Sequence, residues 1–250
     1  MIALTQRWVL ARIRLTARNP RALVFTFAFP LILIVLFSAL NGNAEIDAYG
    51  ERVRFAQFYT PAIAMFSLVT ACYTSLVIGI ANARDQGLFK RVRATPLPMG
   101  IYLGSWVTSA MLTAVVAVLA LFVVSVPAFG VEVRASTLPA AALTLVLGAA
   151  CLSALGVAVA SLTKDAEQAQ PVAQLTFLPV SFISGIWFPL DGAPEWLVRV
   201  SDLFPLSHIV TAFGSCFTPG ASFPAGDLIS IVVWTAVGAL VAVRRFRFEP

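Results

Sequence analysis

The sequence predicts an all-α integral membrane protein, a six-transmembrane-helix bundle, and three observations predict it. Of 250 residues, 59% are apolar and only 12% charged, where soluble chains carry about 25% charged residues; the mean hydropathy is +0.89. All 17 basic and 12 acidic residues fall outside six long uncharged stretches. Thirteen of the Lys and Arg residues lie in the two tails and the second and fourth loops, against four in the first, third and fifth loops. Positive residues stay on the cytoplasmic side, so both termini are expected there.

Residues 1–21 hold Arg7, Arg12, Arg14, Arg18 and Arg21 and no acid. At helical spacing Arg7, Arg14 and Arg18 share a stripe, with Leu4, Trp8 and Leu15 on the adjacent flank, so a basic interfacial helix is predicted. Arg12 breaks this two-faced pattern. The helix either meets a cytoplasmic partner or only binds anionic headgroups. The first span, residues 22–40, is 19 residues long. Signal-peptide cores run to about 7–15 residues, so it reads as an uncleaved span.

The second span, residues 60–81, places Ser67, Ala71, Ser75 and Gly79 at i+4 spacing, a small-residue stripe suited to close helix packing. The loop after it reads Arg84-Asp85-Gln86-Gly87-Leu88-Phe89-Lys90-Arg91-Val92-Arg93-Ala94-Thr95-Pro96-Leu97-Pro98. Asn82 is placed to cap a short helix, Asp85 to sit near its positive end, and Thr95-Pro96 to stop it. Such a helix, bearing Leu88 and Phe89, transmits force from a soluble partner, or the segment is an ordinary solvated basic loop.

The third span covers residues 101–126 and the fourth 138–162, where Ala149/Ser153, Ala150/Ala154 and Gly156/Ala160 repeat the small-residue spacing. In the fifth, residues 169–188, Gln170, Gln174 and Ser181 fall on one face with Pro179 between them. Amides are costly against lipid, so this face turns toward protein or a wet cavity. A substrate pathway and plain interhelical hydrogen bonding both satisfy that. Residues 203–226 are uncharged but hold Pro205, Gly214, Pro219, Gly220 and Pro224. A seventh span there would place the arginine-rich C-terminus outside, so a re-entrant or interfacial outer hairpin is expected. The sixth span, residues 228–243, has 16 residues, about 24 Å of helix, which Arg244 and Arg245 extend by snorkelling.

Several function classes are excluded by what the chain lacks. No ionisable group stands in a span, against an ion-coupled carrier. A phosphate loop needs glycine before its lysine, but Phe89 precedes Lys90 and Thr163 precedes Lys164. One histidine, His208, and three scattered cysteines (Cys72, Cys151, Cys216) offer no metal or disulfide framework. No cofactor, metal or catalytic residue is expected on this chain. Its basicity sets topology and does not bind nucleic acid.

With its order of motifs, the chain resembles the permease subunit of an ABC-2 type ATP-binding-cassette exporter over nearly its whole length. The carriers are Arg18-Asn19-Pro20-Arg21 before a Pro-containing first span and the acid-x-Gly signature Asp85-Gln86-Gly87 running on to Arg93-Ala94-Thr95-Pro96-Leu97. Ser184-Gly185-Ile186-Trp187-Phe188-Pro189-Leu190, Pro194-Glu195-Trp196-Leu197 and Phe204-Pro205-Leu206 complete the set. The resemblance departs where Asp85 and Gln86 stand for the family's usual acids.

The resemblance implies two permease copies, identical or paralogous, surrounded by lipid in the cytoplasmic membrane of a prokaryote. Two cytoplasmic ATPase subunits holding ATP and Mg would drive them. The coupling contact would come from Asp85, Gln86, Gly87, Leu88, Phe89, Lys90, Arg91 and Arg93, with Arg7 and Arg14. The pathway is expected along Thr70, Tyr73, Thr74, Gln174, Phe177 and Ser181. The cargo implied is amphipathic (a drug, an antibiotic or a lipid), with lipid-linked polysaccharide as the alternative. From another class, an ATP-independent carrier or channel remains the competing reading.

Overall fold

A helix that is apolar on every side has no face to give to water and ends at the centre of its bundle. Residues Phe55–Val69 form that helix, and all 15 are buried. The computed structural model describes residues 2–41, 44–95, 98–163, 165–220 and 225–245. The side chains of residues 2–7, 17, 21 and 22 fall outside the description. Arg7 and Arg21 are thereby undescribed as side chains, and Pro96, Leu97, Lys164, Pro224 and Arg247 lie outside the described residues.

In chain order the structure runs α1 (Ile2–Ala17), the short α2 (Pro20–Leu23), a π turn (Val24–Ala28) and α3 (Phe29–Asn41). The hairpin strands β1 (Glu45–Ala48) and β2 (Glu51–Arg54) follow, then α4 (Phe55–Val69), a second π turn (Thr70–Thr74) and α5 (Ser75–Asp85). After α6 (Leu88–Arg93) come α7 (Met99–Phe129), α8 (Leu138–Leu162), α9 (Ala166–Ile183), α10 (Glu195–Ser201), α11 (Pro205–Ser215) and α12 (Ala225–Arg245). The α4–α5 rod is the hub, packed by α3, α7, α8, α9 and α11, while α12 lies along α8.

Five helices among the described residues are long and apolar enough to cross a membrane: Val24–Asn41, Phe55–Asp85, Met99–Phe129, Leu138–Leu162 and Ala225–Arg245. These coincide with five of the six expected spans. The second is 31 residues long, about 46 Å at 1.5 Å per residue, so it overshoots a hydrocarbon core of about 30 Å. The last has 21 residues rather than 16. The expected fifth span differs more. Its helix is the 18-residue α9, whose first half carries Glu167, Gln168, Gln170 and Gln174 and is too polar to join the other five. The helix also stops at Ile183, because Gly185 turns left-handed at φ +82°, so residues 184–188 are not part of it.

The two π turns have local causes. Pro30 has no N–H and crowds the Thr26 carbonyl one turn back; the chain widens there, with Phe29 N–H bonding Val24 O. In the second, Ser75 N–H bonds Thr70 O, and the Thr70 and Ser75 hydroxyls donate to the carbonyls of Phe66 and Ala71, competing with the helical ladder. The extra residue rotates one half of the rod against the other. Ser67 and Ala71 are buried, Ser75 is exposed and Gly79 is half-buried, with the Trp106 ring of α7 standing where a Cβ on Gly79 would go.

Small residues in α8 do permit close approach. A Cβ on Gly156 would stand 3.0 Å from Tyr73 O and 3.1 Å from Cys72 O, so α8 meets the π turn backbone to backbone. On the other side, Gly238 of α12 lies against the Ala154–Leu155 backbone.

At the opposite end from α6, the structure adds a β-hairpin to the all-α expectation. Its register pairs Ile46 with Val53 and Ala48 with Glu51, and Tyr49 and Gly50 both have positive φ, as two-residue hairpin turns require. The Asp191 carboxylate holds that turn, accepting from Tyr49 N and Gly50 N at 2.9 Å each. Gln57 ties in two more segments: its amide nitrogen donates to Glu132 O and Phe217 O, and its oxygen accepts from Glu132 N.

The expected outer hairpin of residues 203–226 contains a buried helix, α11. Pro205 opens it at the first turn, where no N–H is needed. Gly214, expected to break structure, lies within α11, where the Tyr49 ring occupies the space a Cβ would fill.

His208 pins α11 to α12. Its Nδ1 is 2.8 Å from Asp227 Oδ1 and its Nε2 2.9 Å from Asp202 O. An ionised Asp227 carboxylate and the Asp202 carbonyl both accept, so this pair of partners favours the protonated ring, in which both nitrogens donate. The Asp227 hydrogen bond raises the imidazole pKa, burial opposes it, and Asp202 adds to the rise. A raised folded-state pKa means stability that is complete below the unfolded value near 6.5 and is lost as pH climbs through the folded value. Thermal unfolding in detergent should show wild type most favoured over His208→Gln below about pH 6.5, with the advantage fading at higher pH. A difference that does not vary with pH would refute the charged pair.

Candidate functional site

The basic end of the bundle is built around Tyr102, a buried residue near the start of α7. Trp8 of α1 stands edge-on to its ring at 5.6 Å and 89°. Phe89 of α6 does the same at 5.6 Å and 87°. Edge-to-face pairs of this kind are worth about 0.5–1.5 kcal/mol beyond burial. One turn further along α7, the Arg12 guanidinium lies over the Trp106 ring. Desolvation pushes its pKa down to about 10, with Tyr102 opposing, so it stays charged at neutral pH. Arg12 broke the two-faced pattern of α1 because it faces α7, whereas Arg14 and Arg18 are exposed.

Gly87, at φ 68°, starts α6 from the left-handed region. Phe89 and Val92 point inward and are buried, while Lys90, Arg91 and Arg93 are exposed. Leu88 is half-buried and Gln86 exposed. Phe89, expected to face a soluble partner, is instead the anchor of α6. What α6 offers outward is its cationic face.

The last two residues of α5 are turned toward the α8–α9 junction. Arg84 donates to Ala160 O at 3.3 Å, Thr163 O at 2.5 Å and Thr163 Oγ1 at 3.4 Å, meeting the carbonyl end of α8. Asp85 accepts from Ala166 N at 2.6 Å, meeting the N–H end of α9, where Asp165 also accepts from Gln168 N. Each charge has the sign that its helix end favours. Asn82, expected to cap α6, lies inside α5 and donates to Ile78 O at 2.8 Å, because α5 continues to Asp85.

The residues expected along a pathway divide in two. Tyr73, Phe177 and Ser181 are buried: Tyr73 Oη is 2.5 Å from Thr176 Oγ1, Phe177 packs on Phe66 at 5.6 Å, and Ser181 Oγ accepts from Trp187 Nε1 at 3.1 Å. Thr70, Thr74 and Gln174 are half-buried and Gln170 is exposed. The amide face of α9 thus runs from solvent at its start to full burial at Ser181.

Tyr102, Trp106 and Arg84 were missed in the sequence. Two aromatics at i, i+4 on the basic end of a span are a legible anchoring signal. Arg84 had none, since its partners lie 76 and 79 positions away.

The profile of the ABC-2 type transporter family matches residues 4–217. The inner membrane transport permease YadH of Escherichia coli K12 is 23% identical over 198 residues, 78% of this chain and 77% of that protein. The putative transport permease YvfS of Bacillus subtilis is 21% identical over 84% of this chain and 82% of its own length. The daunorubicin resistance ABC transporter permease protein DrrB1 of Streptomyces coeruleorubidus is 26% identical over 77% of this chain and 67% of its own.

Proposed function

The chain belongs to the ABC-2 type transporter family, and from that premise we propose that it is the membrane permease subunit of an ATP-driven exporter. It serves in the cytoplasmic membrane of a prokaryote and moves an amphipathic cargo such as a drug, an antibiotic or a lipid. The observation that carries this reading is the cationic face of α6, held outward by Phe89 and Val92 at the end of the α4–α5 hub. A separate ATPase pair, binding ATP and Mg, docks there. The exposed Arg14 of α1 borders the same contact, since both helices rest on Tyr102.

In this reading α9 is the sixth crossing, with its amide face turned from lipid toward a second permease copy. Both termini are cytoplasmic. Closure of the ATPase pair pushes α6, Tyr102 passes the displacement to α1 and α7, and the two bundles rock between inward and outward openings. Thr70, Thr74 and Gln174 face the pathway between them. The resistance named for the Streptomyces relative supports a drug-like cargo over a polysaccharide.

Co-purification with an ABC-type ATPase from the same organism, followed by ATP hydrolysis in lipid nanodiscs, tests this. The double change Lys90→Glu, Arg91→Glu should weaken association at least tenfold, roughly 1.4 kcal/mol, a modest loss for reversed charges in an interface. Both side chains are exposed, so folding should not change. Cargo movement driven by an ion gradient with no ATPase bound would sink the proposal.

A further inference from the structure

We propose that Arg84 and Asp85 are positioning residues that tie α6 to the α8–α9 junction, so that displacement of α6 moves the polar helix α9. The inference rests on the reading of α6 as the ATPase contact and changes the part Asp85 plays in it. The acid of the acid-x-Gly signature is engaged within the chain.

Consecutive charges of opposite sign grip two helix ends that follow one another in sequence. Arg84 holds the last carbonyls of α8 through two hydrogen bonds and the Thr163 hydroxyl through a third, and Asp85 takes the first N–H of α9. Charge-assisted bonds of this kind are shorter and stronger than neutral ones, and both are aligned with the helix dipoles.

Capping alone does not require Asp85. The start of α9 has its own N-cap in Asp165, which bonds Gln168 N at 2.8 Å. A second carboxylate, brought from a residue 81 positions away, adds a connection between elements to an end that is already capped.

The connection to α6 is short. Only Gln86 and Gly87 separate Asp85 from Leu88, a length of about 10 Å even when fully extended. A shift of α6 beyond a few ångströms therefore pulls on the bracket. On its far side, α9 carries Gln170 and Gln174 and reaches back to the central rod through Thr176 and Tyr73. The bracket gives the push on α6 a direct route to the face of α9 assigned to the pathway, separate from the Tyr102 route to α1 and α7.

Two measurements test this. In the isolated permease, spin labels at Lys90→Cys and Gln170→Cys report the distance between α6 and α9. Wild type should give one narrow distribution, Asp85→Ala one at least twice as wide, and Asp85→Glu a restored one. Unchanged width in Asp85→Ala overturns the proposal.

In the complex, Asp85→Ala should remain folded and retain its ATPase within twofold, whereas Lys90→Glu, Arg91→Glu loses the ATPase. Labels at Gln170→Cys and Leu240→Cys should move apart or together on trapping with ATP and vanadate in wild type but not in Asp85→Ala. Loss of the ATPase by Asp85→Ala to the same degree as the charge-reversed variant would make Asp85 a direct contact and overturn the inference. If wild type itself retains no ATPase, the function proposed above fails, and the label widths in the isolated permease still decide the bracket.

Discussion

Gly156→Val should remove most folded protein. A Cβ at this position meets Tyr73 O at 3.0 Å, Cys72 O at 3.1 Å and Tyr73 Cα at 3.2 Å. All three are backbone atoms of a buried π turn with no rotamer to escape into. Valine adds two methyl groups to that contact, so α8 must separate from the central rod. Overpacking typically costs about 1–3 kcal/mol, and a backbone obstacle places this change at the upper end, about 3 kcal/mol.

Gly148→Ala is the matched control on the same helix. Its added methyl meets Ile209 Cγ2 at 3.0 Å and Leu68 Cδ2 at 3.3 Å, both ends of side chains able to shift by a few tenths of an ångström. The yield of monodisperse protein in detergent and its unfolding temperature should separate the two sharply. Equal behaviour would mean that α8 and the π turn are not in contact.

Phe89→Ala should release α6 while leaving the membrane-embedded bundle folded. Phe89 is 1% exposed, and truncating a buried phenylalanine costs about 3–5 kcal/mol. α6 has six residues, far below the length at which a helix holds itself together in water. Without its anchor on Tyr102, the helix loses its reason to form. Hydrogen exchange should show residues 88–93 losing protection by two orders of magnitude or more, with α7 and α8 unchanged. ATPase association should fall with it. Lys90→Ala removes only an exposed side chain, so α6 protection should persist there. Retained protection in Phe89→Ala would refute the anchoring role.

Where the bilayer acts as solvent, the sequence is explicit. The stretches that must be apolar are long and free of charge, so five crossing helices are readable to within a few residues of their ends. α8 is readable to the residue. The errors fall where local chemistry competes with periodicity. Pro205 and Gly214 carry the composition of a helix breaker, yet proline suits a first turn and glycine suits a crowded contact, so α11 forms. Tyr49-Gly50 between Ile46/Ala48 and Val53 is a hairpin signal that the dominance of apolar helices concealed. The fifth stretch is apolar enough in its second half to suggest a span, but the amides in the first half leave α9 outside the five helices long and apolar enough to cross a membrane.

The candidate site was legible as a segment but not as a geometry. Lys90, Arg91 and Arg93 stood out as a basic helix after a long span, and they are exposed. The direction of Phe89, the bonds of Arg84 and Asp85 and the stacking of Arg12 on Trp106 were not readable. Each depends on a partner from another element.

The sequence by itself determined the solvent of this protein, the number of apolar helices to within one and the clustering of its positive charge. Those properties follow from transfer free energies summed residue by residue, and no neighbour in space changes them. The tertiary structure alone decided which side of α6 faces outward, that Asp85 turns to α9, that Gly156 lies on backbone and that His208 sits between Asp227 and Asp202. Such outcomes depend on the approach of elements distant in the chain, 81 positions apart for Asp85 and Ala166, where one ångström or one extra residue in a turn selects the partner.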